Sequence, residues 1–357
     1  MAYLTLDTKK LKENYTFLKR MFDEKDVSWG VVSKVFCGNK LFLTELVNLG
    51  VTEIHDSRIS NLAMVKSISP DIQTIYIKPV AKQNIKKLVQ FADVSLNSEL
   101  KTIEWISEEA VLQEKNHKII IMVETGDLRE GVMGDELLDF YARVFELPNI
   151  QIIGLGTNLN CLNGIMPSPD KLILLCLYKQ IIELKFNQKI PWISAGTSVT
   201  IPLMRNHLLP IGINHFRIGE TLYFGMDLVE EKVIAGMHGD VFELHAEIIE
   251  MHEKPLVPSG VLAPTPQGEI KEIDDRLLGK SSFRAIIDVG VLDVDSKYLI
   301  ANDESVEILG ASSDMIIINL GENPKNYKVG DVLSFNLKYM GALGLMNSDY
   351  IDKKMIG

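Results

Sequence analysis

Val27-Ser-Trp-Gly-Val-Val-Ser33 is a short apolar, β-branched run, and the stretch after it, Lys40 to Leu49, has the apolar spacing of an amphipathic helix. Thr52-Glu-Ile-His55 stands in the same relation to Ile59 to Ile68. Thr74-Ile-Tyr-Ile-Lys78 and Ala92-Asp-Val-Ser-Leu-Asn97 repeat the arrangement, with helices starting near Gln83 and Ser98. Lys118-Ile-Ile-Ile-Met-Val-Glu124 and Ile150-Gln-Ile-Ile-Gly-Leu155 follow, with helices over Glu136 to Phe145 and Asp170 to Leu184. Pro191-Trp-Ile-Ser194 and His215-Phe-Arg-Ile218 complete a series of eight strands in about 190 residues. Each crossover is long enough for a helix, so the series predicts a (β/α)8 barrel. A doubly wound open sheet is the competitor. Gly154-Leu-Gly156 lacks the third glycine of a dinucleotide fingerprint and lies sixth in the series rather than first.

After about residue 235 the texture changes to short alternating runs: Val241 to Ile249, Phe283 to Val289, Ser305 to Leu309, Met315 to Leu320 and Val332 to Tyr339. These predict a mostly antiparallel β domain, interrupted by a Pro- and Gly-rich loop from Pro255 to Lys280. The expected organisation is a barrel over residues 8–232 and a β domain over 233–357, with residues 1–7 able to add a strand to the latter.

Hydrophobic residues make up 46% of the 357 and charged ones 24%, which excludes a disordered or fibrous chain. The 37 Lys and Arg against 48 Asp and Glu give a net charge of −11, which argues against nucleic acid and anionic lipid as partners. Cys37, Cys161 and Cys176 form neither a disulfide framework nor a metal-ligand cluster, and no metal site is expected. The start of the chain lacks the order of a secretory signal, and apolar runs such as Leu172 to Leu177 are far shorter than the roughly 18 residues of a membrane span. A cytoplasmic protein is the expectation.

Active sites of such barrels form at the C-terminal ends of the strands. Polar residues there are Lys34, Asp56, Arg58, Lys78, Asn97, Asp127, Arg129, Thr157, Asn158, Thr197, Ser198 and Arg217. Gly196-Thr-Ser198 after the seventh strand and Ile218-Gly-Glu220 after the eighth suit a phosphate monoester, bound by backbone N–H groups and hydroxyls. A lysine at the end of the first strand, facing that phosphate, can form an imine with an aldehyde. Pyridoxal phosphate (PLP) needs both features. Each residue also has a plainer role: Lys34 as a solvated strand-end lysine, Arg129 in a surface ion pair, Ser198 as a helix cap. Asn158 can be a loop residue bonded to its own backbone, Cys37 and Cys161 buried hydrophobes, and His215 a core histidine.

Val31-Val-Ser-Lys-Val-Phe-Cys37, Asp56-Ser-Arg-Ile59, Gly126-Asp-Leu-Arg-Glu-Gly131, Gly154-Leu-Gly-Thr-Asn-Leu159 with Cys161, Asn214-His-Phe-Arg-Ile-Gly-Glu220 and Gly310-Ala-Ser-Ser-Asp314 together resemble the ornithine racemase branch of the alanine racemase-like enzymes. The resemblance covers nearly the whole chain. It implies a PLP-binding barrel with a C-terminal β domain, working as a homodimer on a small amino acid substrate. Lys34 then resembles the lysine that holds PLP as an internal aldimine and acts as base on one face of the α-carbon. Arg217 resembles the arginine facing the pyridine nitrogen, and Asn158 stands where alanine racemases place a histidine against it. Arg129 resembles the arginine near the PLP 3-oxygen and the substrate carboxylate. Thr197, Ser198, Gly219, Glu220 through its N–H, and Tyr339 correspond to the cofactor's phosphate region, and Ser313 and Asp314 to the substrate motif.

The chain also departs from that branch. Met315 stands where the branch has histidine after Gly-Ala-Ser-Ser-Asp, and an Asp-Ala-Phe-Gly segment is missing from the loop around Val261 to Lys271. The Gly-Gly-Asn-Ser-Ser of the family is here Ala195-Gly-Thr-Ser-Val199, and the second-base tyrosine of alanine racemases corresponds to Ser259. Cys161, or a residue of the Pro255 to Lys280 loop, is left as the second proton carrier. The reading is a PLP-dependent amino acid racemase for a basic diamino acid such as ornithine or lysine. The alternative is another PLP reaction, or a non-catalytic PLP-binding protein of the same fold.

Overall fold

The computed structural model describes residues 2–264 and 274–357. Strand β1 (Tyr3–Asp7) leads into helix α1 (Thr8–Asp23). Then follow β2 (Ser28–Val32), α2 (Lys40–Asn48), β3 (Glu53–Asp56), α3 (Ile59–Ile68), β4 (Gln73–Tyr76), α4 (Ile85–Phe91), β5 (Val94–Asn97) and α5 (Leu100–Leu112). The series continues with β6 (His117–Met122), α6 (Leu137–Phe145), β7 (Ile150–Gly156), α7 (Pro169–Phe186), β8 (Trp192–Thr197), α8 (Ile201–Arg205), β9 (His215–Ile218) and α9 (Glu220–Phe224). Among the described residues, β2 to β9 close a parallel barrel in sequence order, and β9 returns to β2 with Arg217 opposite Gly30. Closure rules out the open sheet.

The barrel strands are covered on both sides, which is why they read as near-continuous Val and Ile runs. Ile75, Val94, Leu96, Ile120, Met122 and Ile153 pack together as one apolar cluster. Ile59, Leu62, Leu88, Val89, Ile106 and Ala110 fill the layer where α3, α4 and α5 meet the strands. The Gly154-Leu-Gly156 pair serves packing here: a Cβ on Gly156 would lie 2.7 Å from the Ser194 carbonyl oxygen across the β7–β8 ladder.

The barrel unit spans Thr8–Val241, so the division falls at Val241/Phe242 rather than at 232/233. The reason is a ribbon of β10 (Met226–Asp227) and β11 (Lys232–Val233), whose pairing keeps that segment with the barrel. The other unit joins the residues up to Asp7 to Phe242–Ile356. It contains β12 (Phe242–Pro255), β13 (Ser281–Ile287), β14 (Leu299–Ala301), β15 (Glu307–Ala311), β16 (Ile316–Asn319), β17 (Val332–Leu337), α10 (Tyr339–Asn347) and β18 (Asp352–Ile356).

The sheet order is β14-β17-β12-β13-β16-β15, with β1 antiparallel to β12 and parallel to β18. The long β12 pairs with β1 and β17 along its first half and with β13 along its second, the register shifting between Ile248 and Glu250. Three elements of this unit have no counterpart in the sequence reading. β14 is three residues long, β18 carries Lys353 and Lys354 in place of an apolar alternation, and Tyr339 opens a helix instead of ending a strand. Among the described residues no helix is long and apolar enough to cross a membrane.

Candidate active site

Lys34 opens a 3₁₀ turn (Lys34–Phe36) directly after β2. The residue before it is locked: Ser33 N–H donates to the His55 carbonyl oxygen at 2.8 Å and Ser33 Oγ to Asp56 Oδ2 at 2.8 Å. Asp56 is fully buried and also accepts from the Arg58 N–H at 2.9 Å and from Asn61 Nδ2 at 3.1 Å. Burial pushes the Asp56 carboxyl up, against the pull of these hydrogen bonds. The Lys34 side chain itself is exposed, and its charge acts on both Glu220 and Cys161. Burial pushes the Glu220 carboxyl up, and Lys34 opposes that shift.

Arg217, at the C-terminal end of β9, is 4% exposed, and burial pulls its guanidinium down to about 10. Nη1 donates to the Ser194 carbonyl oxygen and, at 2.6 Å, to Ser194 Oγ. Nη2 donates to the Thr157 carbonyl oxygen at 2.8 Å and to Asn158 Oδ1 at 2.6 Å. Among the described residues, four of its five N–H groups are therefore taken by protein acceptors, all of them uncharged, and Nε–H is the one left to a ligand.

Asn158 Nδ2 donates in turn to Glu130, on whose carboxylate the Arg129 guanidinium is forked. The expected surface ion pair of Arg129 thus has a named partner, and that partner connects Arg129 through Asn158 to Arg217. Asp127 organises the loop after β7: Oδ2 accepts from the N–H groups of Cys161 (3.1 Å) and Leu162 (2.9 Å), Oδ1 from those of Asn163 (3.1 Å) and Ile165 (3.3 Å). Burial opposes ionisation of Asp127, but these N–H groups outweigh it and hold the carboxyl below its ordinary range. Cys161 is exposed rather than a buried hydrophobe. Its surroundings still push the thiol up, with Arg129 pulling the other way, so the easily ionised thiol expected from a cationic setting is not found.

The cap role given to Ser198 as its plainer reading falls to Thr197. Thr197 caps the turn after β8, its side chain and N–H bonded reciprocally with Thr200. Ser198 Oγ accepts from the Thr221 N–H at 3.2 Å and so ties the loop after β8 to the start of α9, beside Gly219 and Glu220. Ser313, Asp314 and Tyr339 belong to the β unit. Ser313 Oγ donates to Asp314 Oδ2 at 2.6 Å in the exposed turn between β15 and β16, and Tyr339 is the first residue of α10. Met315 is exposed and Ser259 lies exposed after β12; residues 265–271 of the Val261 to Lys271 segment lie outside the described residues.

Sequence reasoning missed Glu130 as the link between Arg129 and Asn158, and gave His215 only a core role. His215 Nδ1 is 2.7 Å from Ser194 Oγ, one step from Arg217. A signal existed: polar residues at alternate positions of strands that must be buried on both faces.

Fold and site together define a (β/α)8-barrel enzyme with a further β unit and its polar and charged groups gathered where β2, β6, β7 and β9 end. The chain belongs to the family of the alanine racemase N-terminal domain, whose model matches residues 6–227. It is 35% identical over 354 residues to an ornithine racemase of Acetoanaerobium sticklandii, covering 99% of each chain. It is 30% identical over 350 residues to a lysine racemase of Thermotoga maritima, covering 98% of this chain and 97% of the relative. Among solved structures, alanine racemase of Clostridium difficile superimposes with a TM-score of 0.75 at 14% identity, over 99% of this chain and 95% of that one. Alanine racemase of Bartonella henselae with covalently bound pyridoxal phosphate gives 0.74 at 17% identity over 99% of both.

Proposed function

We propose that the protein is a PLP-dependent racemase of a basic diamino acid, ornithine or lysine. The observation that carries this is the combination of an exposed amine, Lys34, with a buried cation, Arg217, whose one remaining N–H is Nε–H. The names of the two curated relatives, ornithine racemase and lysine racemase, supply the substrate class. The donor set suits PLP: an amine for its aldehyde, a cation for its ring nitrogen, and the Ser198 hydroxyl with the Gly219 and Glu220 N–H groups for its phosphate. When bound, PLP withdraws electrons from the substrate α-carbon and so acidifies its hydrogen.

The residues then divide the work. Lys34 removes and returns the α-proton on one face. Arg217 stays cationic beside the ring nitrogen and disfavours its protonation, which keeps the reaction on racemisation rather than transamination. Arg129 orients the substrate carboxylate, with Glu130 and Asn158 fixing its position relative to Arg217. Cys161, held by the Asp127-organised loop, carries the proton on the opposite face as a neutral thiol. The protein is a homodimer whose sites each use residues of both chains, since Gly310 to Met315 belongs to the β unit yet resembles a substrate-site motif that includes Ser313 and Asp314.

The deciding experiment incubates the protein with PLP and L-ornithine or L-lysine and resolves the enantiomers, then reduces the PLP-loaded protein with borohydride and maps the label. D-enantiomer formation with label on Lys34 is expected. A label on another lysine removes Lys34 from the site, and PLP binding without D-product favours a non-racemising protein of the same fold.

A further inference from the structure

The chemistry above leaves three buried residues of the barrel interior without a task. Glu53 Oε1 is 2.6 Å from His55 Nε2 and 2.8 Å from His215 Nε2. A carboxylate only accepts, so each Nε2 carries a hydrogen and donates it. Burial alone would raise the Glu53 carboxyl, but the hydrogen bonds from His215 and His55 hold it well below the usual carboxylate range, and it is an anion inside the barrel. The His215 ring is fixed by Trp192, stacked on it at 4.2 Å between centroids and 10° between planes. Its other nitrogen, Nδ1, is 2.7 Å from Ser194 Oγ, and that hydroxyl is 2.6 Å from Arg217 Nη1. An unbroken path thus runs from Glu53, the first residue of β3, through His215 and Ser194 to Arg217.

The arrangement is costly to keep. A Cβ on Gly30 would lie 2.3 Å from His55 Nε2 and 2.5 Å from Glu53 Oε1, so the pair fits only because the neighbouring strand has no side chain there. His55 Nδ1 is buried with no hydrogen-bond partner among the described residues, and burial keeps the ring from taking a proton. Apolar side chains in place of a buried ionic cluster are often no less stable, so stability alone does not account for the polar residues here. The three ligand atoms lie within 4.8 Å of one another, as in a metal site, but both Nε2 atoms are committed to one carboxylate oxygen at hydrogen-bond length. The direct acceptors of Arg217 are all uncharged, which leaves Glu53 through His215 and Ser194, and Glu130 through Asn158, as its counter-charges.

We propose that Glu53, acting through His215 and Ser194, is a positioning residue for Arg217: together with Glu130 on the other side it supplies the counter-charge that holds the guanidinium fixed with Nε–H directed to the ligand. This inference rests on the reading of Arg217 as the group facing the PLP ring. Loss of the Glu53 charge loosens the guanidinium, weakens its control of the ring nitrogen and lets transamination compete.

Glu53→Gln tests it, because the amide oxygen can still accept from both rings while the charge is gone. In the protein without PLP, proton exchange of the Arg217 Nη–H groups, followed by nitrogen NMR and assigned with Arg217→Lys, should accelerate about tenfold, the scale of one weakened charge-assisted hydrogen bond. In the PLP-loaded protein, the fraction of turnovers ending in pyridoxamine phosphate should rise by a similar factor while PLP stays bound. A folded Glu53→Gln protein in which either quantity is unchanged overturns the proposal. If Glu53→Gln does not fold, His215→Phe, which keeps a ring against Trp192 and leaves the Ser194–Arg217 bond in place but breaks the path to Glu53, is read by the same two measurements and decides in its place. Should the native protein not take PLP at Lys34, the proposed function fails, and the exchange measurement on the cofactor-less protein still decides whether Glu53 holds Arg217.

Discussion

Arg217 Nη2 and Asn158 Oδ1 lie 2.6 Å apart, and through Asn158 the arginine of β9 is joined to Glu130 and Arg129 on the loop after β6. Two arginines that would repel each other across the site are held by one carboxylate and one amide. The amide is a neutral spacer that accepts from Arg217 and donates to Glu130.

Replacing Arg217 by glutamine should leave PLP bound and raise pyridoxamine phosphate formation, with racemisation falling by about two orders of magnitude, a typical loss for one aligned charged donor. Glutamine suits the pocket better than glutamate, because the Ser194 and Thr157 carbonyl oxygens there would repel a carboxylate. Unchanged product partition and absorbance in Arg217→Gln would falsify its role at the ring.

Asp127→Ala removes the acceptor for four backbone N–H groups, those of Cys161, Leu162, Asn163 and Ile165. The expected result is a melting temperature lower by several degrees and proteolytic nicking within residues 159–165. Limited proteolysis with mass spectrometry reads the site of cleavage, and nicking elsewhere with an intact loop would contradict the assignment.

His117 is buried beside Ser95 Oγ at 2.9 Å, and burial pulls its pKa from 6.5 to about 4. Between those values the unfolded chain binds the proton and the folded one does not, so stability rises with pH through this window and is lost as pH falls from above 6.5 toward 4. The loss from this group is on the order of 3 kcal/mol. His117→Gln should flatten the acid limb of stability measured by urea unfolding at several pH values. An acid limb as steep as that of the native protein would show that another group controls it.

Cys161→Ser should stop solvent deuterium entering one enantiomer of the substrate while exchange of the other through Lys34 continues. Because the surroundings push the thiol up from 9.0, the direction in which Cys161 must accept a proton should speed up as pH rises through the alkaline range. Equal exchange from both enantiomers in Cys161→Ser would exclude the thiol.

Sedimentation of the active protein should show a dimer at the concentrations where it turns over. Full turnover by a monomer would remove the partner chain from the site.

The barrel was legible because its evidence is periodic: eight β-branched runs, each followed by a helix-length stretch, need no knowledge of contacts. Lys34, Asn158 and Arg217 were legible for a related reason, since a residue just past a strand end has its place set by topology alone. Glu53 and His55 were not. Thr52-Glu-Ile-His55 reads as the polar and apolar alternation of a half-exposed strand, yet all of β3 is buried. Asp127 was read as a residue of the barrel mouth, but its work in the loop was not: its partners are backbone N–H groups of a distant loop, and a backbone donor leaves no trace in residue identity. Helix α10 was hidden by the apolar strand that runs straight into it at Lys338.

The missing side chain of Gly30, whose place Glu53 and His55 fill, binds three positions into one inherited unit. Any side chain at 30 would strike Glu53 and His55 together, and a smaller pair at 53 and 55 would leave a hole against the glycine. A descendant of this chain cannot change the size of one of the three without disturbing the other two. Its route to an apolar filling at this place passes through change at all three, so across the descendants of this protein the glycine, a glutamate-sized residue at 53 and the histidine should persist or vanish as a set.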